Sequence, residues 1–426
     1  MNYWNPTPHE ITKNRIIPTP QSIEIKDGNG LFLSRTSKFT LTAPTADFGP
    51  VMTAVERTKK LFTSHCGENC FSDSEEAIKI VLSVSEDIKI PSECNNRKEG
   101  YSLKISEKEI EITGFGEPGL LYGVITLEQL NVWDIFGCKI PAMDVIDWPD
   151  NPTRGFKQEC RWGSDKMDLE EWMLMLEDMV SKKMNALGIA FYGCWGVEYD
   201  GRVSEYLFMP VKNHPELKTP KMVKYWSPEE NRWIEYEKLP PIFEENFLDA
   251  IFRRARDLGI QIIPGWNSYG HNTLLPAMIS EVSSKDEEGN PSLVGFCTSN
   301  PATYDLLFSI YDQLIDDYML PYGMTAINLC LDEVHAGIGK NANDIYKLRD
   351  PWCSCPNCRG KDHGDIYLDH IVKIAEHIQK KGMETIIVAC DMLDPKRKRG
   401  LGQEDLPQRL MEKLKKLGID KNLMLG

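Results

Sequence analysis

The chain has 426 residues, 41% of them hydrophobic and 27% charged. That is the composition of a globular protein, at a length too great for one ordinary core, so two domains are expected. A net charge of −15 leaves little basic surface to neutralise phosphates and argues against a nucleic-acid partner.

The one basic run, Lys396-Arg397-Lys398-Arg399, reads as a solvated loop. The opening residues have no basic start followed by an apolar stretch, and no run is apolar for long enough to span a membrane. The expectation is a cytoplasmic protein without a membrane partner, whose twelve cysteines are reduced thiols.

Residues 1–150 read as one α/β unit with a packing role. Ser22-Ile23-Glu24-Ile25 alternates and ends in Asp27-Gly28-Asn29-Gly30, a turn cluster. Residues 51–62 have helical spacing, and residues 78–84 are strand-like. Residues 101–105 and 110–113 alternate on either side of a short charged turn, which predicts a hairpin. Residues 119–130 form a helix with Leu120, Leu121, Val124, Leu127 and Leu130 apolar. Residues 141–152, with three prolines and three aspartates around Trp148, mark a boundary.

Beyond it strands and helices alternate. Strands are predicted at 156–160, 186–191, 260–264, 326–331 and 385–389, with a sixth beginning at 422; helices lie at 169–183, 247–258, 304–318, 367–381 and 406–417. This alternation implies a parallel sheet, and a (β/α)8 TIM-type barrel is the first candidate. Only about six strands fit, so the expectation is a barrel truncated at its C-terminal end, over 151–426, behind a smaller α+β domain. The excursion over 195–240 is too long for an ordinary connection and is placed to cover a site.

In such a fold chemistry sits beyond the carboxyl ends of the strands. The apolar run Ala326-Ile327-Asn328-Leu329-Cys330-Leu331 leads straight into Asp332-Glu333. In an extended chain, alternation sends these two carboxylates to opposite sides, suited to two jobs rather than one shared proton. The plainer reading is an acidic pair opening a solvated loop. Other strand ends supply Glu159, Arg161 and Trp162, then Tyr192 and Trp195, then Trp266, Asn267 and His271, then His335, and finally Asp391 and Asp394. Carboxylates, an arginine and aromatic rings on one rim suit a carbohydrate, whose apolar faces stack on rings while its hydroxyls need polar partners. His271 reads either as part of a proton network or as a structural hydrogen-bonder.

Several segments resemble glycoside hydrolase family 20, the β-N-acetylhexosaminidases. They are Arg15-Ile16-Ile17-Pro18-Thr19-Pro20, Glu99-Gly100-Tyr101, the run from Gly119 to Leu130, Arg154-Gly155-Phe156, the segment from Pro264 to His271, Asp332-Glu333 and Asp391-Met392. Residues 332–340 are most similar to the bacterial, signal-less branch. The resemblance implies removal of terminal β-linked N-acetylhexosamine by a retaining, substrate-assisted route that requires no cofactor. Glu333 would be the general acid and Asp332 would hold the substrate's 2-acetamido group. Arg161, His271, Asp391, Trp195, Trp266 and His335 would contribute to the sugar site. The chain departs from the family pattern at Asn328, Cys330 and Leu331, where a histidine and two glycines are usual, and also at Glu159 and Ala389. A related glycosidase of altered sugar specificity, or a carbohydrate-binding barrel without turnover, are the alternatives.

A separate signal is Cys353, Cys355 and Cys358 with His363 shortly after. Three thiolates and an imidazole match a structural zinc set in type, while reduced free thiols are the competing reading.

Overall fold

The computed structural model describes residues 14–74, 76–158, 163–334, 350–397 and 400–426. Two compact units divide the chain. One comprises residues 1–155 with 173–186 and 253–260; the other comprises 156–172, 187–252 and 261–426.

In the first unit, short alternating segments build a sheet under two helices. The elements are β1 (Ser22–Ile25), β2 (Leu31–Leu33), β3 (Phe39–Thr42), α1 (Gly49–Cys66), β4 (Ile78–Val84), β5 (Tyr101–Ile105), β6 (Glu109–Gly114), α2 (Glu117–Leu130), β7 (Cys138–Ile140) and β8 (Met143–Asp147). Six strands lie in the order β1-β8-β5-β6-β4-β3, and β2 pairs with β7 separately. The predicted hairpin is present: β5 and β6 are antiparallel, with Ile105 opposite Ile110. Residues 141–152 do more than mark a boundary, because β8 lies between β1 and β5 with Met143 and Val145 buried.

Both helices carry proline in their first turn, where a missing N–H costs nothing. Helix α2 is buried almost all round. Its Gly119 and Gly123 lie one turn apart. A Cβ on the first would collide with the carbonyl of Gly100, and on the second with Ile112. Glycine at that spacing therefore sets how closely α2 approaches the sheet.

Charge is buried in this unit only with partners. Lys183 donates to the Tyr101 hydroxyl at 2.8 Å and lies 3.2 Å from Asp147. Tyr101 in turn donates to Asp147 at 3.0 Å. Burial pulls the Lys183 ammonium below its ordinary range, against the attraction of Asp147. Replacing Lys183 by Met leaves the buried Asp147 without its counter-charge, which should cost about 3–5 kcal/mol. Urea denaturation of the full chain checks this, and Lys183→Met/Asp147→Asn should recover part of the loss.

The rest of the chain repeats strand and helix. Its elements are β9 (Gly155–Gln158), α3 (Leu169–Ser181), β10 (Ala186–Val197), β11 (Val203–Leu207), β12 (Lys221–Ser227), β13 (Arg232–Lys238), α4 (Leu248–Asp257), β14 (Gln261–Trp266), α5 (Leu274–Met278), β15 (Ser283–Lys285), β16 (Pro291–Phe296), α6 (Pro301–Leu314), β17 (Ala326–Asn328), α7 (His363–Lys380), β18 (Thr385–Val388), α8 (Leu406–Leu417) and β19 (Leu423–Leu425). Strands β9, β10, β14, β17, β18 and β19 neighbour one another in chain order. The pairs β14–β17, β17–β18 and β18–β19 are parallel. That order is the one sequential βα units produce. Among the described residues no pairing joins β19 back to β9.

Aromatic side chains fill the core of the second unit. Trp172 meets Phe208 at 5.0 Å between ring centres, and Phe191 lies 5.7 Å from Phe208. The long excursion contains β11 and the β12–β13 hairpin, which carries the edge-to-face pair Trp226–Trp233. No described helix is long and apolar enough to cross a membrane.

Candidate active site

The fourth predicted strand stops three residues earlier than its apolar pattern suggests. Strand β17 ends at Asn328, whose side chain accepts the Cys330 N–H at 2.8 Å. Such a local bond competes with the extended chain. Cys330 and Leu331 then adopt left-handed backbone, with φ 56° and 69°, and Glu333 follows at 50°. Two bonds to the neighbouring strand hold the turn: Leu329 N–H to the Ile387 carbonyl at 2.8 Å and Ala389 N–H to the Cys330 carbonyl at 2.9 Å. The Tyr367 hydroxyl donates to the Leu331 carbonyl at 2.8 Å. Leu329, Leu331 and Val334 are buried and fix its apolar side.

This backbone overturns the expectation drawn from alternation. Asp332 and Glu333 do not go to opposite sides; both carboxylates approach one nitrogen. His271 Nε2 lies 3.2 Å from Asp332 Oδ2 and 3.5 Å from Glu333 Oε2. The reason is local: the rule of alternation holds only while φ stays extended, and here it reverses sign. His271 is itself left-handed, with φ 47°. It follows Gly270, where a Cβ would run into the carbonyl oxygen of Asp332. Glycine is therefore required for the β14 connection to reach the acidic pair.

The electrostatics follow from burial and pairing. Burial disfavours a charged imidazole at His271, but its hydrogen bonds to Asp332 and Glu333 outweigh that and raise its pKa to about 9. Burial likewise disfavours the Asp332 carboxylate, yet the His271 hydrogen bond and charge, with Lys157 at longer range, hold it below the ordinary value. At neutral pH the site thus holds an imidazolium against an ionised Asp332. Asp391 accepts the Glu333 backbone N–H at 3.0 Å. Burial and the neighbouring charges of Asp332 and Glu333 push its carboxyl up, against that hydrogen bond. Its second oxygen is buried with no hydrogen-bonding partner among the described residues.

Asp332, Glu333, His271 and Asp391 therefore come together. Trp266 does not join them. It is fully buried, packed 5.0 Å from Tyr192 and 6.5 Å from Tyr311 between ring centres. It forms the floor of the core and cannot stack on a sugar, because β14 continues through this residue and turns it inward. Glu159, Arg161, Trp162, His335, Lys398 and Arg399 lie outside the described residues, as does the side chain of Trp195. Lys157 was not singled out in the sequence; a lysine near the end of the first strand, two residues before Glu159, was the available signal. In the cysteine set, Cys353, Cys355 and Cys358 are joined by Cys297, and their sulfurs all lie within 4.8 Å of one another. His363 is not part of that set; its ring stacks flat on Trp352 at 4.2 Å.

Residues 13–148 match the family described as glycosyl hydrolase family 20, domain 2. The match assigns residues 13–148 to that domain. Solved structures of the family share the fold of the chain. A Vibrio harveyi exo-β-N-acetylglucosaminidase in complex with N-acetylglucosamine aligns with TM-score 0.64 at 14% identity, over 89% of this chain and 55% of that one. A Bacteroides fragilis β-N-acetylhexosaminidase aligns at 0.60 and 18% identity, over 94% and 73%. A Streptomyces plicatus N-acetyl-β-hexosaminidase aligns at 0.61 and 13% identity, over 97% and 74%. The chain thus spans little more than half the length of the Vibrio protein and about three quarters of the others.

The linkage sign at His271 gives a stability prediction. Its pKa is raised from 6.5 to about 9, so its contribution is full below pH 6.5 and is lost as pH rises through 9. The loss should be on the order of 3 kcal/mol. Asp332, being lowered, adds stability above its unfolded pKa that is lost as pH falls through its folded value. Denaturation midpoints across pH 5–10 should show wild type losing its advantage over His271→Gln between these limits, and a constant difference would refute the ion cluster.

Proposed function

We propose that the chain is a retaining β-N-acetylhexosaminidase of the substrate-assisted type, with its catalytic unit in residues 151–426 built as a (β/α) barrel. The observation that carries this reading is the convergence of Asp332 and Glu333 on the imidazolium of His271, at 3.2 and 3.5 Å. Two carboxyl groups at one buried imidazolium suit a reaction in which positive charge develops beside an oxygen that must be protonated, with one group staying ionised and the other carrying the proton once substrate is bound.

Glu333 gives its proton to the glycosidic oxygen as the bond to the anomeric carbon breaks. The substrate's acetamido oxygen attacks that carbon from the opposite side. Asp332, held ionised, accepts the acetamido N–H and stabilises the oxazolinium ion that results. Water then attacks the anomeric carbon, giving its proton to the Glu333 carboxylate, and the acetamido group is regenerated. The His271 imidazolium stabilises Glu333 once it has become a carboxylate and fixes the orientation of Asp332. Asp391 positions the acidic pair through the Glu333 N–H. The names of the family-20 neighbours, which act on or bind N-acetylhexosamine, support this substrate class.

Initial rates on an aryl N-acetyl-β-glucosaminide test the proposal, measured on this chain and on any longer natural form that contains it. Glu333→Gln should lower kcat by about 10²–10⁴-fold, the usual range for loss of a general acid. Asp332→Asn should lower it comparably, and the matching aryl β-glucoside should not turn over. Equal rates on both substrates would sink acetamido assistance. Glycan binding without turnover, unchanged in Glu333→Gln, would establish a binding protein instead.

A further inference from the structure

Outside the acidic pair, the densest cluster of reactive side chains is Cys297, Cys353, Cys355 and Cys358. All four are buried, and all four are free thiols. Cys297 Sγ lies 3.8 Å from Cys355 Sγ and 4.0 Å from Cys358 Sγ, and every pair of sulfurs is within 4.8 Å. Four thiolates around one zinc ion, each at about 2.3 Å, would be about 3.8 Å apart by tetrahedral geometry. A disulfide needs sulfurs near 2.05 Å, so these spacings fit a shared ion and not a covalent pair.

We propose that Cys297, Cys353, Cys355 and Cys358 form a structural zinc site that ties the connection between β14 and α6 to the connection between β17 and α7. Three features of the surroundings support it. Cys355 and Cys358 have the C-x2-C spacing of a zinc-binding turn, closed by the Cys358 N–H and Arg359 N–H on the Cys355 carbonyl at 2.9 and 2.8 Å. Polar groups contact the sulfurs: the Lys285 N–H donates to Cys353 Sγ at 3.3 Å, and the Cys358 thiol donates to Ser299 Oγ at 3.0 Å. Outer partners of this kind orient thiolate ligands. Four thiolates and a divalent ion carry net charge −2, and cationic residues lie close by: Lys361 Nζ reaches the Ser299 hydroxyl at 3.4 Å, and Arg359 directly follows Cys358 in sequence.

The set is closed by sulfur alone. No fourth position is left open for water, which makes the site structural and not catalytic. His363 takes no part, since its ring is committed to Trp352. Binding displaces the thiol protons to solvent, so occupancy should fall at low pH.

Metal analysis of protein purified without chelator should find close to one zinc ion per chain. His363→Ala should retain it, whereas Cys297→Ser should lower it several-fold. Apoprotein reconstituted with cobalt(II) should show the visible bands of a tetrahedral thiolate complex in wild type and His363→Ala, but not in Cys297→Ser. If Cys297→Ser does not fold, the wild-type protein alone decides: native thiols titrated with Ellman's reagent should be four fewer with zinc bound than after chelation. Iron in place of zinc would overturn the assignment. So would four thiols that react equally with and without added zinc, or zinc lost from His363→Ala. None of these readouts depends on hydrolase activity, so the site and the proposed reaction fail independently.

Discussion

The candidate site depends on one constraint: two carboxylates from adjacent residues must share a single buried imidazolium. Adjacent residues cannot do this in a strand, so the chain abandons the strand at Asn328 and runs through left-handed conformations at Cys330, Leu331 and Glu333. Non-glycine residues in that region cost on the order of 1–3 kcal/mol each. The strain is offset locally. The ladder to β18 continues through Leu329 and Cys330, Tyr367 holds the Leu331 carbonyl, and Leu329 and Leu331 are fully buried. Two of these strained positions are those at which the family pattern has glycine. Cys330 and Leu331 thus keep a glycine-like backbone without glycine, and their side chains contribute burial in exchange.

Buried charge is used differently in the two units. Around Lys183, Asp147 and Tyr101, each partner is satisfied by another protein group, the arrangement expected of charge retained for structure. Around His271 the carboxylates stay partly open. Asp332 and Glu333 keep side-chain exposures of 30% and 38% while His271 keeps 3%, and one oxygen of Asp391 has no partner among the described residues. A buried cation facing half-open carboxylates is poised to meet a polar ligand, and this asymmetry separates the site from the structural network.

Much of this organisation was legible in the sequence, because the signals were periodic. The βα alternation, the hairpin at β5–β6 and the helix ends at Gly382 and Gly418 follow from patterns of two and 3.6 residues with glycine stops. Asp332 and Glu333 were legible because an apolar run led directly into them, and His271 because it lies in the segment that follows the third predicted strand. What failed was whatever depended on a reversal of φ or on distance in the chain. Strand periodicity could not show that Leu331 and Glu333 turn left-handed, so it separated two carboxylates that in fact converge. It placed Trp266 on the rim, although β14 continues two residues further than its pattern and takes that ring into the core. Cys297 lies 56 residues before Cys353 in the sequence, and no local spacing connects them. His363 was the nearest ligand type in sequence, but stacking on Trp352 occupies it.

The same two connections meet twice, and this ties the sulfur cluster to the acidic pair. The chain between β14 and α6 carries Gly270 and His271 near its start and Cys297 near its end. The chain between β17 and α7 carries Asp332 and Glu333 near its start and the other three cysteines near its end. Between these meeting points, Trp352 packs edge-on against Tyr269 at 5.1 Å, two residues before His271. Ordering long connections is entropically costly, since each residue fixed loses about 1–2 kcal/mol of backbone freedom. Among the described residues of the two connections, the β15–β16 hairpin is the only paired element that offsets that cost. A second point of attachment shortens both loops at once. The placement of His271 against two carboxylates is therefore a property of the pair of connections, not of either strand end alone.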